Sequence, residues 1–95
     1  MSAYIIVDVT VTDPEAYKGY AKLVPATVEA YGGKFVVRGG AAENLEGEWR
    51  PNRVVVLEFE SVQKAKAWYD SDEYKGPKAV RHSASSAQMI VVEGV

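Results

Sequence analysis

The sequence has no cysteine, a single histidine and no apolar run long enough to cross a bilayer. Without cysteine there is neither a disulfide framework nor a thiolate metal site. One imidazole per chain rules out a histidine cluster within a protomer, and a haem would find only His82 as an imidazole ligand. The chain is therefore expected to work without a cofactor. A membrane helix needs roughly 20 apolar residues, and the opening Met1–Asp8 lacks the basic region and extended apolar core of a signal peptide. Eleven Lys and Arg against thirteen Asp and Glu leave a net charge of −2, without the basic excess of a nucleic-acid binder. These absences predict a soluble cytoplasmic protein with no membrane or nucleic-acid partner.

What is present is an ordinary globular composition, 47% hydrophobic and 25% charged, in 95 residues. That is room for one domain over residues 1–95. Asn52–Glu60 (Asn-Arg-Val-Val-Val-Leu-Glu-Phe-Glu) is the organising stretch. A short, β-branched apolar run of this kind reads as an interior strand buried on both faces, with Glu58 the one carboxylate to be explained.

Tyr4–Val11 alternates as a first strand, and Thr12-Asp13-Pro14-Glu15 stops it and starts a helix. Either Asp13 is the N-cap with Pro14 at the first helical position, or Thr12 and Glu15 form a capping box. Tyr17, Tyr20 or Ala21, Val24, Val28 and Tyr31 give one buried stripe. Pro25 lies inside this helix and removes a backbone donor, and Gly32-Gly33 ends it in a left-handed cap. A second strand spans 34–42, with Phe35 and Val37 on one face, Val36 and Arg38 on the other, and a bulge or close approach expected at Gly39-Gly40. If the following turn centres near Glu48, antiparallel pairing sets Arg38 opposite Glu58. Ser61 caps a second helix with Val62, Ala65, Trp68 and Tyr69 inward. Ser71 restarts a helix that runs to about His82, and Gln88–Glu93 is the last strand.

The order β-α-β-β-α-β is the split, ferredoxin-like pattern of an α+β protein. It implies an antiparallel sheet in the order 4-1-3-2 with the helices on one face. The central strands are then apolar on a face that no helix covers, more than a soluble monomer usually exposes. The expectation is a homodimer whose open faces pack together; the alternative is a monomer with the 41–51 loop over that face.

Several blocks resemble one family: Thr12–Tyr17, Tyr31–Gly40 (Tyr-Gly-Gly-Lys-Phe-Val-Val-Arg-Gly-Gly), Arg53–Phe59, Ala67–Tyr74 and Val92–Val95. It is a set of small bacterial proteins grouped as domain of unknown function 1330, within the dimeric α+β barrel superfamily. The resemblance implies a ferredoxin-like protomer and a barrel made by two sheets, but no reaction. Superfamily relatives include cofactor-free monooxygenases, haem-degrading enzymes, muconolactone isomerases and chlorite dismutases, and fold does not choose among them.

Arg38 and Glu58 lead the candidate catalytic residues. Arg38 would hold an anionic or carbonyl oxygen through its planar fork, with Glu58 orienting it; otherwise the two form a structural ion pair. His82, beside Arg81, is either a general base or a solvated helix end. Tyr17, Tyr74 and Trp68 are core anchors by spacing, yet they would also line a pocket between sheet and helices, with Arg81 and Gly39 as further ligand contacts. Trp49 is a surface residue or an interface anchor. The functional expectation is a small-molecule pocket in each protomer that takes an organic acid, aldehyde or aromatic metabolite. Cofactor-free turnover, monooxygenase- or isomerase-like, and non-catalytic binding or a stress-associated role both remain open.

Overall fold

The computed structural model describes residues 2–95. Strand β1 (Ala3–Val11) buries Ala3, Ile5, Val7 and Val9 and leaves the residues between them partly exposed, the alternation of a strand covered on one side. Asp13 is the N-cap of α1 (Pro14–Ala30); its side chain accepts from Ala16 N, and Pro14 occupies the first turn, where no donor is missed. At the other end Gly32 N donates to Glu29 O and Gly33 N to Val28 O, with Gly32 at φ +74°. This is the Schellman closure that Tyr-Gly-Gly predicts.

Strands β2 (Lys34–Arg38) and β3 (Val54–Phe59) follow, then α2 (Val62–Tyr69), α3 (Asp72–Ala84) and β4 (Ser85–Glu93). The Ser61 and Ser71 side chains accept from Lys64 N and Tyr74 N, so each caps its own helix. The four strands form one antiparallel sheet in the order β2-β3-β1-β4, the ferredoxin-like order expected. β4 starts at Ser85, three residues earlier than its apolar pattern suggests, because the long β1 pairs Val11 with Ser85.

The helices cover one face. Beneath them Trp68, Tyr74 and Phe59 are essentially unexposed; the Trp68 and Tyr74 rings lie 4.1 Å apart and Phe59 is 5.6 Å from Trp68. Trp68 Nε1 donates to Thr27 Oγ1 (3.0 Å), which in turn donates to Val24 O (2.8 Å), so both polar groups are satisfied inside the core. No helix among the described residues is long and apolar enough to cross a membrane.

The other face is open. It carries Tyr4, Ile6 and Asp8 of β1, Val54, Val56 and Glu58 of β3, Val37 of β2, and Ile90 and Val92 of β4. Ile90 is 59% exposed and Val92 41%. The loop 39–53 does not cover it. Trp49 Nε1 donates to Asp8 Oδ2 (3.1 Å) and Asn52 Nδ2 to Thr10 Oγ1 (2.7 Å), at one end of the face only.

The expected Arg38–Glu58 pair does not form. Lys34 lies opposite Glu58, and the register slips between Phe35 and Val37, so Val36 is an extra residue and Arg38 pairs with Val55. A bulge inverts the facing of every later residue in the strand. Arg38 thus turns to the helix-covered side, while Glu58 stays on the open side, bonded to Lys34 Nζ (3.5 Å) and Tyr4 Oη (3.4 Å). The bulge is at Val36, not at Gly39-Gly40.

Candidate functional site

The bulge delivers Arg38 to a narrow slot of about 30 Å³ between α1 and the sheet. Val7, Val9, Val55 and Leu57 form its apolar floor, and Tyr17, Tyr20, Phe35 and Trp68 its aromatic walls. Its charged groups are three arginines from three elements: Arg38 at the end of β2, Arg53 just before β3, and Arg81 on α3. Among the described residues no carboxylate and no imidazole line it.

Each arginine is held differently. Arg38 Nη2 donates to Ala21 O (2.8 Å), and its guanidinium lies 4.5 Å from the Phe35 ring. Ala21 is four residues before Pro25, so its carbonyl is the one that the proline leaves without a helical donor. Arg38 supplies that donor, which ties edge strand β2 to the bend in α1. Restoring the N–H should uncouple the two. Arg38→Met is expected to destabilise the protein by about 1 kcal/mol, the worth of one hydrogen bond, and to have almost no effect in a Pro25→Ala background. Thermal unfolding of the two single variants and the double variant measures that coupling.

Arg53 is positioned by shape. Its guanidinium lies over Tyr17, 5.7 Å from the ring centroid, and against the backbone of Gly39, where a Cβ would make the guanidinium shift. Gly39, at φ +74°, is also in a conformation that favours glycine. Its contribution is thus to make room for Arg53, and it is not a slot-lining residue. Arg53 Nε is shielded from solvent and has no hydrogen-bond partner among the described residues.

Arg81 is only 5% exposed. Its Nε donates to Tyr74 Oη (3.2 Å), and Nη2 lies 3.3 Å from His82 Nε2. Tyr74 Oη also meets Tyr20 Oη at 2.9 Å. Burial first, and Tyr74 next, push the Tyr20 hydroxyl well above its ordinary 10, so it stays a neutral hydrogen-bonding group. Among the described residues none of the three arginines has an ion-pair partner; the ion pairs there are Lys18–Glu15 and Lys34–Glu58.

The candidates thus separate. Arg38, Arg81, Tyr17 and Trp68 come together at the slot. Tyr74 is fully buried behind it and orients Arg81, and His82 is exposed and touches the slot only through Arg81. Glu58 is on the opposite face of the sheet, where the Ser2 hydroxyl above all, and then Lys34, hold its carboxyl below the ordinary range. Arg53 and Tyr20 are additions. Parity carried the signal for Arg53, since it shares the covered face of Val55, Leu57 and Phe59. A larger groove between α2 and β4 carries one lysine, Lys66, beside Asp70 and has no comparable convergence of charge. No group of three or more potential metal ligands occurs among the described residues.

Among solved structures, the chain is similar to RPA0582, a protein of unknown function from Rhodopseudomonas palustris (TM-score 0.81, 20% identity, 99% of this chain and 82% of that one). It is similar to SnoaB, a cofactor-independent oxygenase from Streptomyces nogalater (TM-score 0.64, 9% identity, 99% and 93%). It also resembles a dimeric protein of unknown function with a ferredoxin-like fold from Bacteroides fragilis (TM-score 0.58, 13% identity, 98% and 96%). At these identities the likeness is one of fold. No curated protein matches the chain. The family model described as Domain of unknown function (DUF1330) matches residues 2–95, and the chain belongs to that family.

Proposed function

We propose that the protein is a homodimer, closed by its open sheet faces into an α+β barrel, in which each protomer's slot binds a small organic acid. The observation that carries the binding role is the convergence of Arg38, Arg53 and Arg81 on one apolar, aromatic-walled slot with no carboxylate to neutralise them. A guanidinium shielded from water without a counter-charge, as Arg81 is, is costly, and an acid's oxygens supply the counter-charge that the three arginines lack. Pairing of the sheets is supported by the exposed Val37, Ile90 and Val92 beside the half-buried Ile6 and Val56. The carboxylates on that face, Glu58 and Asp8, are already hydrogen-bonded within the chain, so the face can be dried without orphaning them.

Binding without turnover is the reading the slot favours over catalysis. Proton transfer there would need a group titrating near neutrality, and no carboxylate or imidazole lines it. The likeness to a cofactor-independent oxygenase supports a compatible scaffold for turnover and nothing finer. Arg38→Met should weaken the binding of small acids at least tenfold, the loss of a charge-assisted hydrogen bond, with the dimer intact. Titration calorimetry together with light scattering checks both. Acid affinity unchanged in Arg38→Met, or loss of folding in that variant, would sink the role given to Arg38.

A further inference from the structure

We infer that the slot is built for a compact dianion in preference to a monoanion, and that Arg53 is the residue that discriminates between them. This rests on the acid-binding reading and names the ligand class within it. Arg38, Arg53 and Arg81 bring three permanent positive charges to the slot, and no carboxylate among the described residues pairs with any of them. A single carboxylate offsets one of these charges and a dianion offsets two, so the dianion leaves less positive charge uncompensated beside the buried Arg81. The charges are graded in depth, from the exposed Arg38 at the sheet edge, through half-buried Arg53, to Arg81 at 5% exposure. A ligand with oxygens at both ends can engage Arg53 together with one of the other two.

Size sets the second limit. About 30 Å³ is room for about two waters. A carboxylate or phosphate head matches such a space far better than an aromatic ring does. The body of the ligand is therefore short and leaves through the mouth, where Arg38 crosses to Ala21. Arg53 is the discriminating group because no other described residue accepts from its buried Nε donor. Stacking on Tyr17 and the notch at Gly39 hold the guanidinium in place without occupying it. Arg81 spends Nε on Tyr74, and Arg38 spends a donor on Ala21.

The shared chemistry, two negative charges on a compact oxygen-rich body, is met by a short dicarboxylate or by a phosphate group. Calorimetric titration of the wild-type protein at low salt in mildly alkaline buffer, with malonate, inorganic phosphate and acetate in turn, separates the sources. The expected result is that malonate or phosphate binds at least about tenfold more tightly than acetate, and the stronger of the two identifies a carboxylate or a phosphoryl ligand. Arg53→Met should shrink the dianion-to-acetate ratio to within about twofold, and Arg53→Lys should recover part of the ratio. Acetate binding as tightly as both dianions, or a ratio unchanged in Arg53→Met, overturns the dianion assignment and leaves the acid site standing. Failure of all three anions to bind overturns both.

Discussion

Trp68→Ala should remove about 3–5 kcal/mol of stability, in the range measured for truncating a large buried aromatic residue. Trp68 is 1% exposed, stacks 4.1 Å from Tyr74 and 5.6 Å from Phe59, and donates to Thr27. A chain of this size has a total stability of about 5–15 kcal/mol, so the substitution takes a large share of it. The melting temperature should fall by at least about 12 °C. Trp68→Phe keeps most of the packing and loses the hydrogen bond to Thr27, whose hydroxyl still has Val24 O as a partner. Its cost should be clearly smaller. Denaturant titration of the two variants gives the difference directly, and equal losses would mean that the indole N–H, and not the ring, carries the effect.

Val56→Lys should split the proposed dimer. Val56 is at the centre of the open face, flanked by Ile6 of β1 and Val37 of β2. In the separated chain its side chain meets water, so a lysine there leaves the fold and its circular dichroism unchanged. Between two sheets the same ammonium would be desolvated without a partner, at a cost of several kcal/mol for each copy, and the two-fold axis brings the second copy's lysine near it. Light scattering should report 10.4 kDa for the variant and twice that for the wild type. The neighbouring Val55→Lys is the contrast. Val55 is buried under α1, and a charge there should unfold the chain. A Val56→Lys protein that retained the doubled mass would place the interface elsewhere.

Most of the frame was legible because local chemistry and the long-range pattern agree. Asp13-Pro14, Tyr-Gly-Gly and Ser71 mark helix ends by their own hydrogen bonding. The parity of Ile5, Val7 and Val9, and of Val55, Leu57 and Phe59, fixes which side of the sheet is buried. What the residues did not disclose was the register of β2. Val36 sits between Phe35 and Val37 with no glycine or proline to mark a bulge, and the loop 39–53 is too long for turn geometry to set the pairing. The pairing of Lys34 with Glu58 centres the connection near Glu46, not Glu48. That displacement, with the bulge, exchanged Lys34 for Arg38 as the partner of Glu58 and moved Arg38 into the slot. A trace of the answer was present all the same. Pro25 must strand the Ala21 carbonyl, and something has to bond to it; Arg38 does.

The three arginines act as one anion site only if a single ligand reaches all of them. Proton–nitrogen correlation spectra of the guanidinium Nε–H groups, assigned by arginine-to-lysine substitution and followed while malonate is added, test this most directly. The account predicts that the Arg38, Arg53 and Arg81 signals move together and saturate at one concentration, with Arg53, whose Nε is unpartnered beforehand, moving furthest. Signals that stay fixed at these three positions while malonate shifts only Arg50, outside the slot, would contradict it.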